Sequence, residues 1–589
     1  MIHKQKQQSH RSTIRWALIA LISLGISGKT PAADGEARPV RNVIVMIPDG
    51  CSQSIQTLAR WVKEAKTGQP LHLDGLNTGV VRTHSASSII TDSAAAATAF
   101  ATGHRTTTRF IGVAASEHSP YYNKTLPFLT GFEPEAPAMH PVASVLEGAR
   151  LVHKSTGLVA TSRVSHATPA GFASHVHDRG MEREIMEQAV YQSIDVVFSG
   201  GARYLVPSGS SYKTSFGKEW GGARNDKENL VDVLKERGYQ FVDSSETMLQ
   251  VERGPVWGMF DDDAMDPDLD RDDLHPTQPS LAEMTQKAIE ILAQDEDGFF
   301  LMVEGSQVDW GGHSNDAFFM LGDFLAFDDA VGTALDFAKA DGETLLLVFP
   351  DHDTGGLTIG HEFSSFPPSY SSMSIEALID PVKDANMTLQ GLLPRIPRSG
   401  KNDAGDEIFT TSDVITAFSK NLGPYWEKQL TSEHAEHITN VLNSDSSDGS
   451  KYSQIRDHIN RNLTCFGWTS GGHTGVDVPL FAFGPNPVFG TYENTDIAHL
   501  CAAAMGFELK AITDRLFVDV LAAFPDATID TSSSENPVLV VNGHRLPVSK
   551  DYIELPDGQR RQLEGITVHA PEIEKVFIPR QAVELLKQQ

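Results

Sequence analysis

Residues 299–313 read FFLMVEGSQVDWGGH, an apolar run that stops abruptly at Glu304 and is followed by Asp309 and His313. The run Phe299 to Val303 does not alternate between apolar and polar, which is the pattern of a strand covered on both faces. The same pattern recurs in IVMIPDG, which ends at Asp49 with its glycine, and in LVFPDH, which ends at Asp351 and His352. Two further short apolar runs occupy 195–198 and 479–483. Between the runs, 141–154, 180–193, 281–294 and 317–340 carry apolar residues at helical spacing, and Ser280 with Glu283 makes a capping box before the third of them. Strands alternating with helices in this way predict an α/β fold, a mainly parallel central β-sheet with helices on both faces. In such a fold ligands sit beyond the carboxyl ends of the strands. Three strand ends carrying Asp49, Glu304 and Asp351 therefore predict one polar crevice.

The rest of the chain is read outward from that core. Lys4, Lys6, Arg11 and Arg15, the apolar run from Trp16 to Ile26 and the small residues Ala32 and Ala33 read as a secretory signal peptide over 1–33. Its apolar run is short of the roughly 20 residues a spanning helix needs. An exported protein, periplasmic or extracellular, is the expectation. One α/β domain is expected over 34–525, interrupted at 357–464 by an insertion rich in Ser, Pro and Asp with weak periodicity, lying over the crevice. Asn542-Gly543 and Asp557-Gly558 turns between short apolar runs predict a small β-rich appendage over 526–589. The acidic run 261–273 fails as a calcium loop, because Arg271 stands where the glycine belongs and Thr277 where the bidentate glutamate belongs, so a solvated acidic loop is expected. Three cysteines allow at most one bridge, Cys465 to Cys501.

The formal charge of −29 disfavours nucleic acid and anionic membranes as partners. It would also repel a phosphate ester, so any phosphate site must bring its own positive field.

Candidate residues follow from their placement. In ITDSAAAATAFATG, Ser93 precedes an alanine-rich helix that ends at Gly103, which puts its hydroxyl where backbone N–H groups favour an anion. A plain helix cap at Asp92 or Ser93 fits that segment equally well. A serine nucleophile needs a base or a metal, and metal donors are abundant. Asp309 and His313, four apart, share a helical face and suit zinc, and Asp351, His352 and His473 add further donors. Asp49, Thr168 and Glu304 offer the hard oxygens that magnesium prefers, with Asp49 able to bridge two ions. Arg179, 13 residues after His166, can grip two phosphate oxygens.

In order, IPDG, TDSAAAATAFATG, HATPAGFASHV, MVEGSQVDWGGHSND, PDH and GGHTG resemble the motif series of the alkaline phosphatases, from about residue 42 to 508. The resemblance implies hydrolysis of small-molecule phosphate monoesters through a phosphoserine on Ser93, at a site with two Zn2+ and one Mg2+. It assigns Asp309, His313 and His473 to one zinc and Asp49, Asp351 and His352 to the other. Asp49, Thr168 and Glu304 go to magnesium, with His166 beside it; Arg179 goes to phosphate and Asp92 to orienting the nucleophile. It leaves room for a homodimer. His166 and Trp310 replace an aspartate and a lysine of the best-known bacterial members, which implies looser phosphate binding. Thr354 replaces a histidine that some members carry. A sulfatase would need C/S-x-P-x-R, whereas Ala94-Ala95 follow Ser93.

Overall fold

The computed structural model describes residues 40–588 apart from 121–123, 361–370, 372 and 487, so the expected signal segment lies outside the described residues. Its centre is a 10-stranded sheet. In chain order the strands are β1 (Asn42–Pro48), β2 (Asn77–Arg82), β3 (Ser155–Arg163), β4 (Val196–Gly200), β5 (Gln240–Val242), β6 (Val256–Met259), β7 (Phe299–Gly305), β8 (Thr344–Val348), β9 (Val478–Phe483) and β10 (Gly490–Glu493). They lie side by side in the order β10-β2-β9-β8-β1-β7-β3-β4-β6-β5. Every pairing is parallel except those of β9, which runs against both β8 and β2.

The unbroken apolar runs are explained by two cores. Ile44, Met46, Leu301, Val303, Leu346 and Val348 face one, whereas Val43, Val45, Ile47, Phe300, Met302, Leu345 and Leu347 face the other. Each such side chain, fully withdrawn from water, contributes about 2 kcal/mol before ordering costs. Helix α1 (Gln53–Thr67) packs with the first core, and α2 (Ser93–Thr102) with the second. Three more helices matter for the site: α3 (Ala167–Ala173), α4 (Gln307–His313) and α5 (Ala317–Asp341). The capping box at Ser280 forms as expected, over helix Leu281–Leu292. The helix expected at 141–154 is confined to Val145–Leu151, because Ser144 and Glu147 close a capping box at its start.

The structure answers two points that the sequence left open, the state of the cysteines and the make-up of the insertion, and corrects two expectations, for the acidic run and for the run at 195–198. Cys465 and Cys501 are free, buried thiols, and they sit in different cores on opposite faces of the sheet. The insertion at 357–464 is largely helical, with 361–370 and 372 outside the described residues. Helix Thr411–Leu422 buries Val414, Ala417, Phe418 and Leu422, and helix Ser432–Leu442 buries Ala435, Ile438, Val441 and Leu442, both at helical spacing. The acidic run is not wholly a solvated loop. Its residues Asp268–Leu274 form a helix, and buried Asp270 accepts from Thr388 N (2.9 Å) and Thr388 Oγ1 (2.6 Å), which anchors the insertion. Finally, the run expected at 195–198 begins one residue later, because Asp195 turns back to accept from Thr156 N at 2.8 Å.

Beyond residue 525, strands Thr528–Asp530, Val538–Val541, His544–Pro547, Tyr552–Glu554 and Arg560–Gln562 make an antiparallel five-stranded sheet. Asn542 and Gly543 both take positive φ at the tight turn, as such a hairpin requires. Arg237 grips both carboxylate oxygens of Asp551 at 3.0 and 2.7 Å, tying this sheet to the segment before β5.

Candidate active site

All the sequence-selected residues meet at the carboxyl end of the central strands. Asp49 follows β1, Glu304 is the penultimate residue of β7, and Asp351 and His352 come shortly after β8. The register explains the convergence, since Ile47 pairs with Glu304 and Pro48 with Gly305. Gly50 sits at φ 67, and a Cβ there would lie 2.7 Å from Asp309 Oδ1 and from Thr354 Oγ1, so only glycine lets these backbones close.

Three donor groups are built from these residues, each with its ligand atoms within 4.8 Å of one another: Asp309, His313 and His473; Asp49, Asp351 and His352; and Asp49, His166 and Glu304. Asp49 belongs to two of them. In the first group His473 Nε2 is 3.3 Å from His313 Nε2 and 3.7 Å from Asp309 Oδ1, and His313 Nε2 is 3.4 Å from Asp309 Oδ2. The opposite ring nitrogens are bound to backbone carbonyls, His313 Nδ1 to Gly471 O and His473 Nδ1 to Thr91 O, each at 2.8 Å. A ring that donates from Nδ1 turns an Nε2 lone pair inward. In the second group Asp351 Oδ1 accepts from Gly50 N and His352 N, both at 3.0 Å, and His352 Nε2 stands 3.1 Å from Asp351 Oδ2 and 3.6 Å from Asp49 Oδ1. In the third, Ser162 Oγ donates to Glu304 Oε2 at 3.2 Å.

The donors are short of partners. Both carboxylate oxygens of Asp49, Oε1 of Glu304 and Oγ1 of Thr168 are buried and make no hydrogen bond. Buried oxygens are rarely left so. Burial, then Asp351, Asp309 and Glu304, pushes the Asp49 carboxyl well above the usual range. Burial first, with Asp351 adding, pushes Glu304 up to about 7. Burial opposes charge on Asp351 too, but His352 outweighs it and holds that carboxyl at about 2. Desolvation, then His352, holds His473 down at about 4, which keeps its ring neutral and its lone pair available. So many carboxylates in one dry crevice need positive charge, and their geometry and atom types fit divalent cations.

Ser93 is the first residue of α2, and Asp92 rather than Ser93 caps the helix by accepting from Ala95 N at 3.2 Å. The serine hydroxyl is thereby free of capping, and it stands 3.2 Å from His352 Nε2. Small residues permit the placement: all of α2 is buried, and a Cβ at Gly171 of α3 would lie 2.7 Å from Ala97 Cβ. Arg179 reaches in from the loop after α3, with Nη1 3.4 Å from Asp92 Oδ2 and Nη2 3.1 Å from His166 Nε2. Since guanidinium only donates, His166 accepts through Nε2, and burial followed by Arg179 and Arg163 lowers its pKa well below the ordinary value. Trp310 packs edge-on to His166, ring centroids 5.9 Å apart.

One participant is a residue that the sequence marked only as the replacement of a histidine. Thr354 Oγ1 donates to Asp309 Oδ1 at 2.6 Å and lies 3.3 Å from His352 Nδ1, so one hydroxyl joins the first two donor groups. The insertion abuts the turn after His313, where Tyr452 donates to Asp316 Oδ2 at 2.9 Å and Arg456 to Ser314 O at 2.8 Å.

Comparison with known proteins agrees with this geometry. The alkaline phosphatase family pattern matches residues 40–507. Alkaline phosphatase 3 of Bacillus subtilis (strain 168) is 33% identical over 516 residues, covering 84% of this chain and 96% of that protein. The repressible alkaline phosphatase of Saccharomyces cerevisiae is 29% identical over 511 residues, covering 81% of this chain and 83% of its own length. Among solved structures, the cold-active enzyme from a psychrophilic Shewanella superposes with a TM-score of 0.62 at 25% identity, over 79% of this chain and 99% of that one. A variant of the alkaline phosphatase from the Antarctic bacterium TAB5, with a histidine replaced by aspartate and magnesium bound in its M3 site, superposes with a TM-score of 0.51 at 25% identity, over 80% of this chain and 100% of its own. With its motifs in family order and their side chains gathered in one crevice, this chain belongs to the alkaline phosphatase family of phosphomonoester hydrolases.

Proposed function

We propose that the chain releases inorganic phosphate from phosphate monoesters through a covalent phosphoserine on Ser93. The observation that carries the reading is the uncapped Ser93 hydroxyl, at a helix N-terminus, beside three donor groups in which both oxygens of Asp49, Oδ2 of Asp351 and Oε1 of Glu304 are buried without a hydrogen bond. Asp309, His313 and His473 would hold one zinc, Asp49, Asp351 and His352 a second, and Asp49, Thr168 and Glu304 a magnesium with His166 beside it. When bound, these ions supply the positive charge that a chain of net charge −29 lacks, next to the attacking and leaving oxygens.

The chain's own residues do the rest. Ser93 gives its proton to water, with no histidine base required, and Oγ bonds to phosphorus as the bond from phosphorus to the ester oxygen breaks. The departing alcohol oxygen takes a proton from water. Arg179, held by Asp92, grips the equatorial oxygens. Water then attacks phosphorus and loses a proton, the bond to Ser93 breaks with Oγ taking a proton back from water, and phosphate leaves. The reading includes export, from the charged and then apolar residues of 1–33; among the described residues no helix is long and apolar enough to cross a membrane.

The test is release of phosphate from an aryl monoester and from an aryl diester, with zinc and magnesium and after chelation. Monoester turnover that chelator abolishes and metals restore is expected. Absence of turnover in both metals, or a preference for the diester, contradicts the reading.

A further inference from the structure

Among the described residues nine large apolar side chains stand exposed, and two of them, Ile89 and Ile90, lie against the backbone of Gly475, whose neighbour in the chain, Val476, is a third. They are 66%, 47% and 52% exposed. A Cβ added at Gly475 would lie 3.4 Å from Ile89 Cγ2 and 3.4 Å from Ile90 Cγ1, so both isoleucines close over the backbone that leads into Val476. Single exposed aliphatic residues are ordinary, but a contiguous branched patch calls for an apolar partner. Its position is specific: Ile89 and Ile90 lead into Asp92 and Ser93, Val476 follows His473, and the bond from His473 Nδ1 to Thr91 O, 2.8 Å, pins the two segments together.

The direction of displacement says what passes this patch. Ser93 Oγ lies beside His352, on the side of the second donor group. In-line attack sends the leaving oxygen to the opposite side of phosphorus, toward Asp309, His313 and His473. The His313 side chain is 40% exposed, so that side opens to solvent.

We propose that Ile89, Ile90 and Val476 form an apolar lip that receives the alcohol portion of the substrate, favouring esters of aliphatic and aryl alcohols over those of polar ones. The proposal rests on Ser93 as nucleophile.

The test compares kcat/KM for ethyl and hexyl phosphate, whose leaving oxygens are alike, in the parent enzyme, in an Ile89→Ser/Ile90→Ser double variant and in Val476→Ser. A fully buried methylene is worth roughly fourfold; contact on one side only makes it about twofold, so four methylenes give a hexyl-to-ethyl preference of about fifteenfold. That preference is expected in the parent and should fall toward one in both variants, whose altered side chains stand in water and do not hold the fold. An unchanged ratio in both overturns the lip. So does an unchanged ratio accompanied by loss of a dimer in sedimentation, which assigns the patch to a second copy of the chain. Labelling of Ser93 by radioactive ester, run on the same preparations, separates the two failures. A labelled parent with unchanged ratios overturns the lip alone, and an unlabelled parent overturns the nucleophile and the lip with it.

Discussion

The Thr354 hydroxyl donates a 2.6 Å hydrogen bond to Asp309 Oδ1 while standing 3.3 Å from His352 Nδ1. A hydroxyl has one proton, so giving it to Asp309 leaves a lone pair for the Nδ1–H of His352, and His352 Nε2 is then free to ligate. Thr354→Val keeps the shape and removes both bonds. We expect zinc affinity to fall by roughly 10- to 100-fold, as for other partners of metal ligands, measured as faster inactivation by a chelator and lower metal content. Unaltered chelator sensitivity would show the bridge to be incidental.

His166 faces Arg179 through Nε2, and its buried Nδ1 has no partner. His166→Asp places a hard, charged oxygen donor beside Asp49 and Glu304, which should strengthen magnesium binding. The half-saturating magnesium concentration in an activity titration is expected to drop. An identical titration curve would remove His166 from the neighbourhood of that ion.

Asp551 is nearly buried where it pairs with Arg237, whose side chain keeps 20% exposure. Asp551→Ala leaves that guanidinium without a charged partner, though Nη2 still donates to Ser193 Oγ at 2.7 Å, and a loss on the order of 2 kcal/mol is expected, below the range for fully buried pairs because Arg237 retains some water. Urea denaturation reads it. No change in midpoint would mean that this ion pair does not help to hold the C-terminal sheet.

In the insertion, His458 Nε2 lies 3.1 Å from His434 Nδ1, and its ring stacks on His437 at 4.2 Å. Desolvation first, then His437 and His434, lowers the pKa of His458 to about 4. The unfolded chain then binds more protons between about pH 6.5 and 4, so the stability linked to this ring is complete above 6.5 and is lost as pH falls toward 4. Denaturation midpoints at pH 7 and pH 4.5 should lie closer together in His458→Asn than in the parent. Equal spacing in the two proteins refutes the linkage.

How far such features could be read beforehand follows from where the information lies. β1, β7 and β8 are legible because both faces are buried, leaving no polar residue to blur the run, whereas β2, NTGVVR, is half-exposed and carries little apolar signal. The insertion's helices hide behind polar first turns and capping Thr and Ser residues, which imitate loop composition. Site residues are legible where a side chain interrupts a strand end, as at Asp49 and Glu304. The contacts that orient them are not, since Gly471 O and Thr91 O are carbonyls that every residue possesses and only the fold aims them. Ser93 is the middle case: its segment fits a cap as well as a nucleophile, and the geometry separates the two by giving the cap to Asp92.

That separation makes Ser93→Ala the most direct test. The hydroxyl contributes no cap bond, so the variant should fold and hold metal close to the parent's content, yet incubation with radioactive phosphate ester followed by acid quench should leave no phosphoserine. Labelled serine in the variant, at the parent's level, would contradict the account.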